Sequence, residues 1–344
     1  MITIIDIAKK AQVSTATVSY VLNKHKNNIP ISKKTQKRVM AAVQELGYRR
    51  NEIARSMVSG KTRVIGFVVE TLRWEEIGKI LEGVSDESEK NGYFIKILRL
   101  NANRPEQDIV RICMENRLAG LLVSSIPDKS LKYIHAGLSA EHVPVVAIDN
   151  VPPLPGLIRI LSDDRGGIGQ VVKYVYKTGH IRIAFMSGKA GTWLGAERDQ
   201  AYRDAFAKWG LPLREEYIRH GNWKIKDTER ETALLLKMPE RPTAIVCAGD
   251  YTATVVIRTA RHMGLAVPQD LSVTGFSDHV SAQFSDPPLT TVRQPFGDMG
   301  AYGLRRLVEL IEAKIKVTTS QPETVTLATE LIVRDSVGKY NKLA

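Results

Sequence analysis

Cysteine is scarce in this chain: two in 344 residues, Cys113 and Cys247, each inside an apolar run (VRICMEN and AIVCAG). Buried free thiols fit that placement; a disulfide framework or a cysteine metal cage does not. Long apolar runs are missing too, and the opening MITIIDIAKK puts charge inside any export-signal core. The expectation is a cytoplasmic protein with no membrane contact. Catalytic motifs are also wanting. The G-K-T at 60–62 lacks the glycine of a phosphate loop, since position 55 is arginine. There is no G-x-G-x-x-G, H-E-x-x-H, G-x-S-x-G or C-x-x-C. The seven histidines are scattered, and His279 beside Asp278 reads as a loop residue rather than half of a triad. Neither an enzyme, a metal site nor a cofactor is expected.

Acidic residues are rare at one end only. Residues 1–62 hold twelve lysines and arginines against Asp6, Glu45 and Glu52, a net charge of +9. The whole chain carries +12, so the body is nearly neutral. A basic head predicts a polyanionic partner. Three short helices fit it. Thr3, with Asp6 three residues on, starts the first, and Ile4, Ala8 and Ala11 line one face. Gln12-Val13-Ser14 makes a tight turn, and Ser14 caps a second helix, Thr15–Leu22. There Val18, Val21 and Leu22 point inward while Thr15, Ala16, Ser19 and Tyr20 stay outward. Ser32 caps a third helix, ended by Gly47. Two helices on a three-residue turn, the second presenting small polar residues, form a helix-turn-helix. Residues 51–60 (NEIARSMVSG) suit one more helix, too short to hold alone in water.

From residue 63 the pattern changes. Strand-like runs (VIGFVV at 64–69, YFIKIL at 93–98, GLLVSS at 120–125, VPVVAI at 143–148, IRIAFM at 181–186, TAIVCA at 243–248, LSVTGF at 271–276) alternate with helical segments such as 76–91, 166–179, 197–209 and 251–264. Repeated β-α-β with buried strands means parallel α/β sheets, whose ligands bind beyond the carboxyl ends of the strands.

TIIDIAKKAQVSTATVSYVLN closely resembles the head of the LacI/GalR family of bacterial repressors. TQKRVMAAVQELGYRRNEIARSMVSGKTRVIGFVV and PPLTTVRQPFGDMG extend the likeness, in order, over almost the whole chain. The resemblance implies an all-α helix-turn-helix head at 1–50, a hinge helix at 51–62, and an α/β two-lobed, periplasmic-binding-protein-like effector domain at 63–344. One lobe would span about 63–164 and 295–322, the other about 165–294 and 323–340. It implies a homodimeric, nucleoid-associated repressor that reads a near-palindromic double-stranded operator and answers to a small-molecule effector. Family tetramers end in a leucine heptad tail; this chain ends RDSVGKYNKLA, so a dimer is expected. By the same matching, Thr15, Ala16 and Tyr20 read bases. Ser14, Thr17, Ser19 and Asn23 hold phosphates. Position 20 is often arginine in the family, so tyrosine here leaves the half-site open. Ala54 and Met57 fall on the hinge helix, where Met57 takes the place of the minor-groove leucine wedge.

For the effector, the resemblance points to Arg73, Trp74 and Ile77 after the first strand and to Asn150 after VPVVAI. It adds Thr192, Trp193 and Arg198 in GKAGTWLGAERDQAY, Trp223 in GNW, Asp250 in AGD, Ser277 in GFSD and Phe296. Aromatic faces with a few polar groups suit a sugar or similar metabolite. Arg73 and Arg198, with serine at 277 where the family has an acid, suggest an anionic one. A transport-type binding protein or an enzyme on the same scaffold is the rival reading. The basic head and the missing motifs speak against both.

Overall fold

The structure is a computed structural model that describes residues 2–23, 31–48, 62–313 and 321–340. The chain divides into two compact units, Met1–Thr62 and Arg63–Ala344. In the first, α1 (Ile4–Ala11), α2 (Thr15–Asn23) and α3 (Lys33–Glu45) surround a small core of Ile7, Ala8, Ala11, Val18, Val39 and Ala42. The Asp6 carboxylate accepts hydrogen bonds from Thr3 N and Thr3 Oγ1, both 2.8 Å, which fixes the start of α1. Gln12 adopts the left-handed conformation (φ 46°), and Val13 N returns to Ala8 O at 3.1 Å, making the tight turn. Ser14 Oγ accepts from Thr17 N at 3.1 Å and Ser32 Oγ from Thr35 N at 3.2 Å, so both serines act as caps. The hinge segment at 51–60 lies outside the described residues.

The second unit holds two parallel sheets. Lobe one contains β1 (Val64–Val69), β2 (Phe94–Arg99), β3 (Gly120–Ser124), β4 (Val145–Ile148), β5 (Ile158–Ser162) and β11 (Glu323–Leu327), in the order β11-β5-β4-β3-β1-β2. α4 (Glu75–Asn91) and α12 (Phe296–Glu312) cover one face, burying Ile77, Ile80 and Val84 with Met299, Leu304 and Leu307. α5 (Glu106–Glu115) and α6 (Asp128–Ala140) cover the other. Burial on both faces is why β1 and β3 read as unbroken apolar runs.

Lobe two contains β6 (Ile183–Ser187), β7 (Ile218–His220), β8 (Ala244–Cys247) and β9 (Ser272–Thr274), ordered β7-β6-β8-β9. α7 (Asp164–Lys177) and α8 (Trp193–Lys208) pack on one face, α9 (Ile225–Leu236) and α10 (Asp250–His262) on the other. A short α11 (Val280–Phe284) follows β9, and β10 (Thr291–Arg293) pairs antiparallel with β12 (Glu330–Ile332).

Two expectations need correcting. Strand β11 pairs in parallel with β5, Glu323 opposite Ile158, so residues 323–327 complete lobe one rather than lobe two. The apolar runs named above also omit β5 and β7. The first, Ile158–Ser162, carries Arg159, and the second is three residues long with Arg219 and His220 in it. Neither looks apolar enough to stand out.

Candidate functional site

Thr15 and Ala16 are exposed at the amino end of α2, with Ser14 just before them, where backbone N–H groups and the helix dipole favour phosphate. Thr17 is half-buried, its Oγ1 2.9 Å from Ser14 Oγ. Ser19 and Tyr20 are half-buried on the same helix. Val18 beneath them is fully buried, which fixes the face that α2 presents. Ala54, Met57 and the side chain of Asn23 lie outside the described residues.

In the second unit, the strand carboxyl ends face a cleft between the lobes. Six of the nine non-glycine residues with positive φ, among the described residues, follow strands at this cleft: Ser125, Asp149, Asn222, Trp223, Ser277 and Asp278. Such backbone costs energy, about 1 kcal/mol or more per residue, and gathers at binding sites. Trp223 (φ 57°) lays its indole against the backbones of Gly188 and Gly249, where an added Cβ would come within 2.3 and 3.0 Å of the ring. Trp74 is 38% exposed just ahead of α4 and meets Tyr251 of lobe two edge-on, centroids 6.0 Å apart. Trp193 N donates to Asp128 Oδ2 at 3.0 Å, again from lobe to lobe. Thr192 caps α8 through Gly195 N.

The polar floor is already paired. Arg198 is buried; its Nε donates to Asp164 Oδ2 at 2.7 Å, a second nitrogen donates to Ala248 O, and its guanidinium lies 4.4 Å from the Phe276 ring centre. Gln294 Nε2 donates to Ser162 Oγ at 2.7 Å and Asp164 Oδ1 at 3.1 Å, tying two lobe crossovers together. Ser277 Oγ donates to Gln294 Oε1 at 3.1 Å. Asp250 accepts from Thr291 Oγ1 and from His279 N; burial pushes its carboxyl pKa up more than these bonds pull it down. It starts α10 itself rather than capping a helix from Thr252. Asn150 is half-buried beside Asp149, whose Oδ1 accepts Asn150 N at 2.8 Å. Burial, then the charge of Asp164, pushes Asp149 up to about 6, although Asn150 and Arg198 pull the other way.

Two of the matched effector positions are core. Ile77 is wholly buried in the lobe-one cluster, and Phe296 is 3% exposed in the same cluster. Arg73 is exposed, its backbone N bonded to Thr71 Oγ1. The charge of Arg198, expected to attract an anionic ligand, is instead met by Asp164. Residues missed from sequence are Asp149, Asp164, Gln294, Glu76 and Tyr251. Asp149 and Asp164 each sit at or next to a strand end, the one signal that could have found them.

The model for bacterial regulatory proteins of the lacI family matches residues 3–51, and that for a periplasmic binding protein-like domain matches 172–337. The HTH-type transcriptional repressor PurR of Actinobacillus pleuropneumoniae serotype 3 (strain JL03) is 32% identical over 99% of this chain and 100% of its own. A solved complex of the transcriptional regulator CelR with cellobiose is 26% identical, TM-score 0.73, covering 98% of this chain and 100% of its own. The lac repressor dimer bound to operator and the anti-inducer ONPF shares the fold: 24% identity, TM-score 0.79, 98% of this chain and 99% of that one. Head, lobes and relatives agree: the chain belongs to the lacI family of bacterial regulatory proteins and is a DNA-binding transcriptional repressor under small-molecule control, not an enzyme.

Proposed function

We propose that the effector sits between Trp74 and Trp223, above the Arg198–Asp164 pair, and that it is uncharged, with a ring for the indoles and hydroxyl or amide groups for Asp149, Asn150 and Ser277. The cluster of strained residues at the strand ends carries this reading. Thr192, Trp193 and Asp250 then serve as framework at the rim and floor. The paired state of Arg198 favours a neutral molecule, since an anion would have to draw it off Asp164. The CelR relative, solved with cellobiose, supports a sugar-like ligand. A thermal-shift screen of neutral saccharides and nucleobases against sugar acids and sugar phosphates tests it. Neutral compounds alone should raise the midpoint; stabilisation only by anions overturns the assignment.

On the DNA side, Thr15, Ala16 and Tyr20 read bases, Ser14, Thr17, Ser19 and Asn23 hold phosphates, and Ala54 contributes to DNA binding beside Met57, which enters the minor groove. The division into a head at 1–50, a hinge at 51–62 and an effector domain from 63 belongs to the same reading, as does work in the cytoplasm at the nucleoid. A homodimer fits the apolar surface. Edge strand β2 leaves Phe94 64% and Ile97 45% exposed near Leu72, and α11 shows Val280 and Phe284, four residues apart. Two heads on one pair would match a near-palindromic operator.

A further inference from the structure

Three contacts bind the amino end of α4, in lobe one, to residues 278–280 of lobe two. Lys79 Nζ donates to Asp278 O at 3.1 Å. The Glu75 carboxylate accepts Val280 N through both oxygens, at 2.9 and 3.0 Å. Between them, His279 Nε2 faces Glu76 Oε2 at 3.2 Å. Both atoms are shut off from solvent and neither makes a hydrogen bond, so the contact is one of charge, at ion-pair distance. Each pair crosses from one lobe to the other, at the rim where Trp74 meets Tyr251. Of the three, only the His279–Glu76 pair changes charge near neutral pH.

We propose that His279 and Glu76 form a proton-operated latch that holds the cleft closed, so that the lobes separate more readily as His279 loses its proton. The proposal rests on the two-lobed cleft being the effector site and adds its regulation.

The groups facing His279 are Glu75, Glu76 and Lys79 from α4, Asp250 from the start of α10, and Asp278 beside it, the last held by Arg293 and Arg334. The carboxylates outnumber Lys79, so the pocket favours imidazolium. Burial pulls the His279 pKa down, but the Glu76 contact, Asp250 and Glu75 together raise it above the ordinary value of 6.5. In an open cleft Glu76 and Glu75 are withdrawn while Asp250, in the same lobe as His279, stays, so the value falls back toward the ordinary one. The closed form therefore binds the proton more tightly. Its advantage is complete below the ordinary histidine value and is lost as pH rises through the closed-state value. Asp149, pushed up to about 6, also prefers its neutral form when buried, and titrates lower in the range. Replacing His279 separates the two.

The test uses the full chain without ligand. Spin labels at Lys132→Cys on α6 and Lys226→Cys on α9 report the distance between lobes; Cys113 and Cys247 are buried away from the label. In parallel, the ε1-carbon-labelled histidine resonance absent from His279→Gln is titrated by NMR. In the otherwise native chain the inter-lobe distance should lengthen as pH rises through the His279 midpoint, and that midpoint should lie above 6.5. Glu76→Gln should lower the midpoint and remove the step in distance. His279→Lys, charged throughout, should stay closed across the range. A His279 midpoint at or below 6.5 overturns the latch, as does an unchanged distance step in His279→Gln. No ligand enters the experiment, so a failed latch leaves the effector reading standing, and a failed ligand screen leaves the latch standing.

Discussion

Arg198 and Asp164 are each less than a tenth exposed and lie 2.7 Å apart. Removing one partner strands the other charge in a dry site, which costs about 3–5 kcal/mol. Arg198→Ala should therefore lower the thermal midpoint steeply as well as abolish the ligand response. Arg198→Met combined with Asp164→Leu should recover most of the stability while the response stays lost. A melt of all three variants decides it; an Arg198→Ala protein as stable as the parent would mean the pair contributes little. Asp149 gives a prediction with a sign. Its folded-state pKa is about 6, against an ordinary 3.8. A raised carboxyl adds stability that is present below the ordinary value and is lost as pH climbs through the folded one. Asp149→Asn should thus melt higher than the parent at pH 8, with the gap closing toward pH 4. At this scale the sequence was partly legible. Trp74 and Trp223 stood out because a large aromatic after a strand has few other uses. Ile77 and Phe296 misled, because an apolar residue one turn into a helix serves a core as well as a ligand. Asp149 does not stand out from its neighbour Asn150 in the sequence, because sequence does not tell which of two adjacent polar residues takes a positive φ.

Helices α4 and α12 show how a single missing side chain sets an element's place. A Cβ on Gly83 would come within 1.9 Å of Gly297 O, and one on Gly300 within 2.1 Å of Ile80 O. The two backbones touch because nothing stands between them. Gly83→Ala should cost about 1–3 kcal/mol, as overpacking does. Gly78→Ala, on the same helix with nothing within 4 Å, should instead gain about 0.5–1 kcal/mol from helix propensity. Opposite shifts in the melting midpoint are the expected outcome; equal shifts would mean that the close approach does not limit the packing. Long, strongly patterned elements such as β1 and α4 were readable because burial on both sheet faces or one helix face writes directly into the residue order. Short β7 and edge strand β11 were not, since edge positions alternate with solvent and carry Thr, Arg and Glu.

At the scale of the molecule, charge and apolar surface make separate claims. The +9 head should bind DNA with an affinity that falls steeply with salt, by about 0.9 in logarithmic slope per phosphate neutralised. Gel shifts from low to moderate salt check this, and a flat response would contradict it. Phe284→Lys, at a residue 80% exposed on α11, should weaken self-association in sedimentation while leaving the melt of the isolated subunit near the parent value. An unchanged dimer would place the interface elsewhere. Parallel α/β sheets are legible in the β-α alternation, and their division into two lobes follows from the family resemblance. Which lobe owns residues 323–327 is not legible, because a strand's partner is set by long-range pairing that no local pattern records.

That pairing also dictates the order in which the protein can be made. Lobe one lacks its covering helix α12 and its edge strand β11 until residues 296–327 have left the ribosome, although β1 to β5 emerge far earlier. Lobe two's sheet is complete by residue 274 and needs only the small β10–β12 pair to finish. The half synthesised first is thus the half that must wait, its apolar face open while about 130 further residues are added. A chain stopped at residue 295 would hold nearly all of lobe two yet leave Ile77, Ile80 and Val84 uncovered. Such a nascent chain should engage chaperones through lobe one, and release from them should come only with the last stretch of translation.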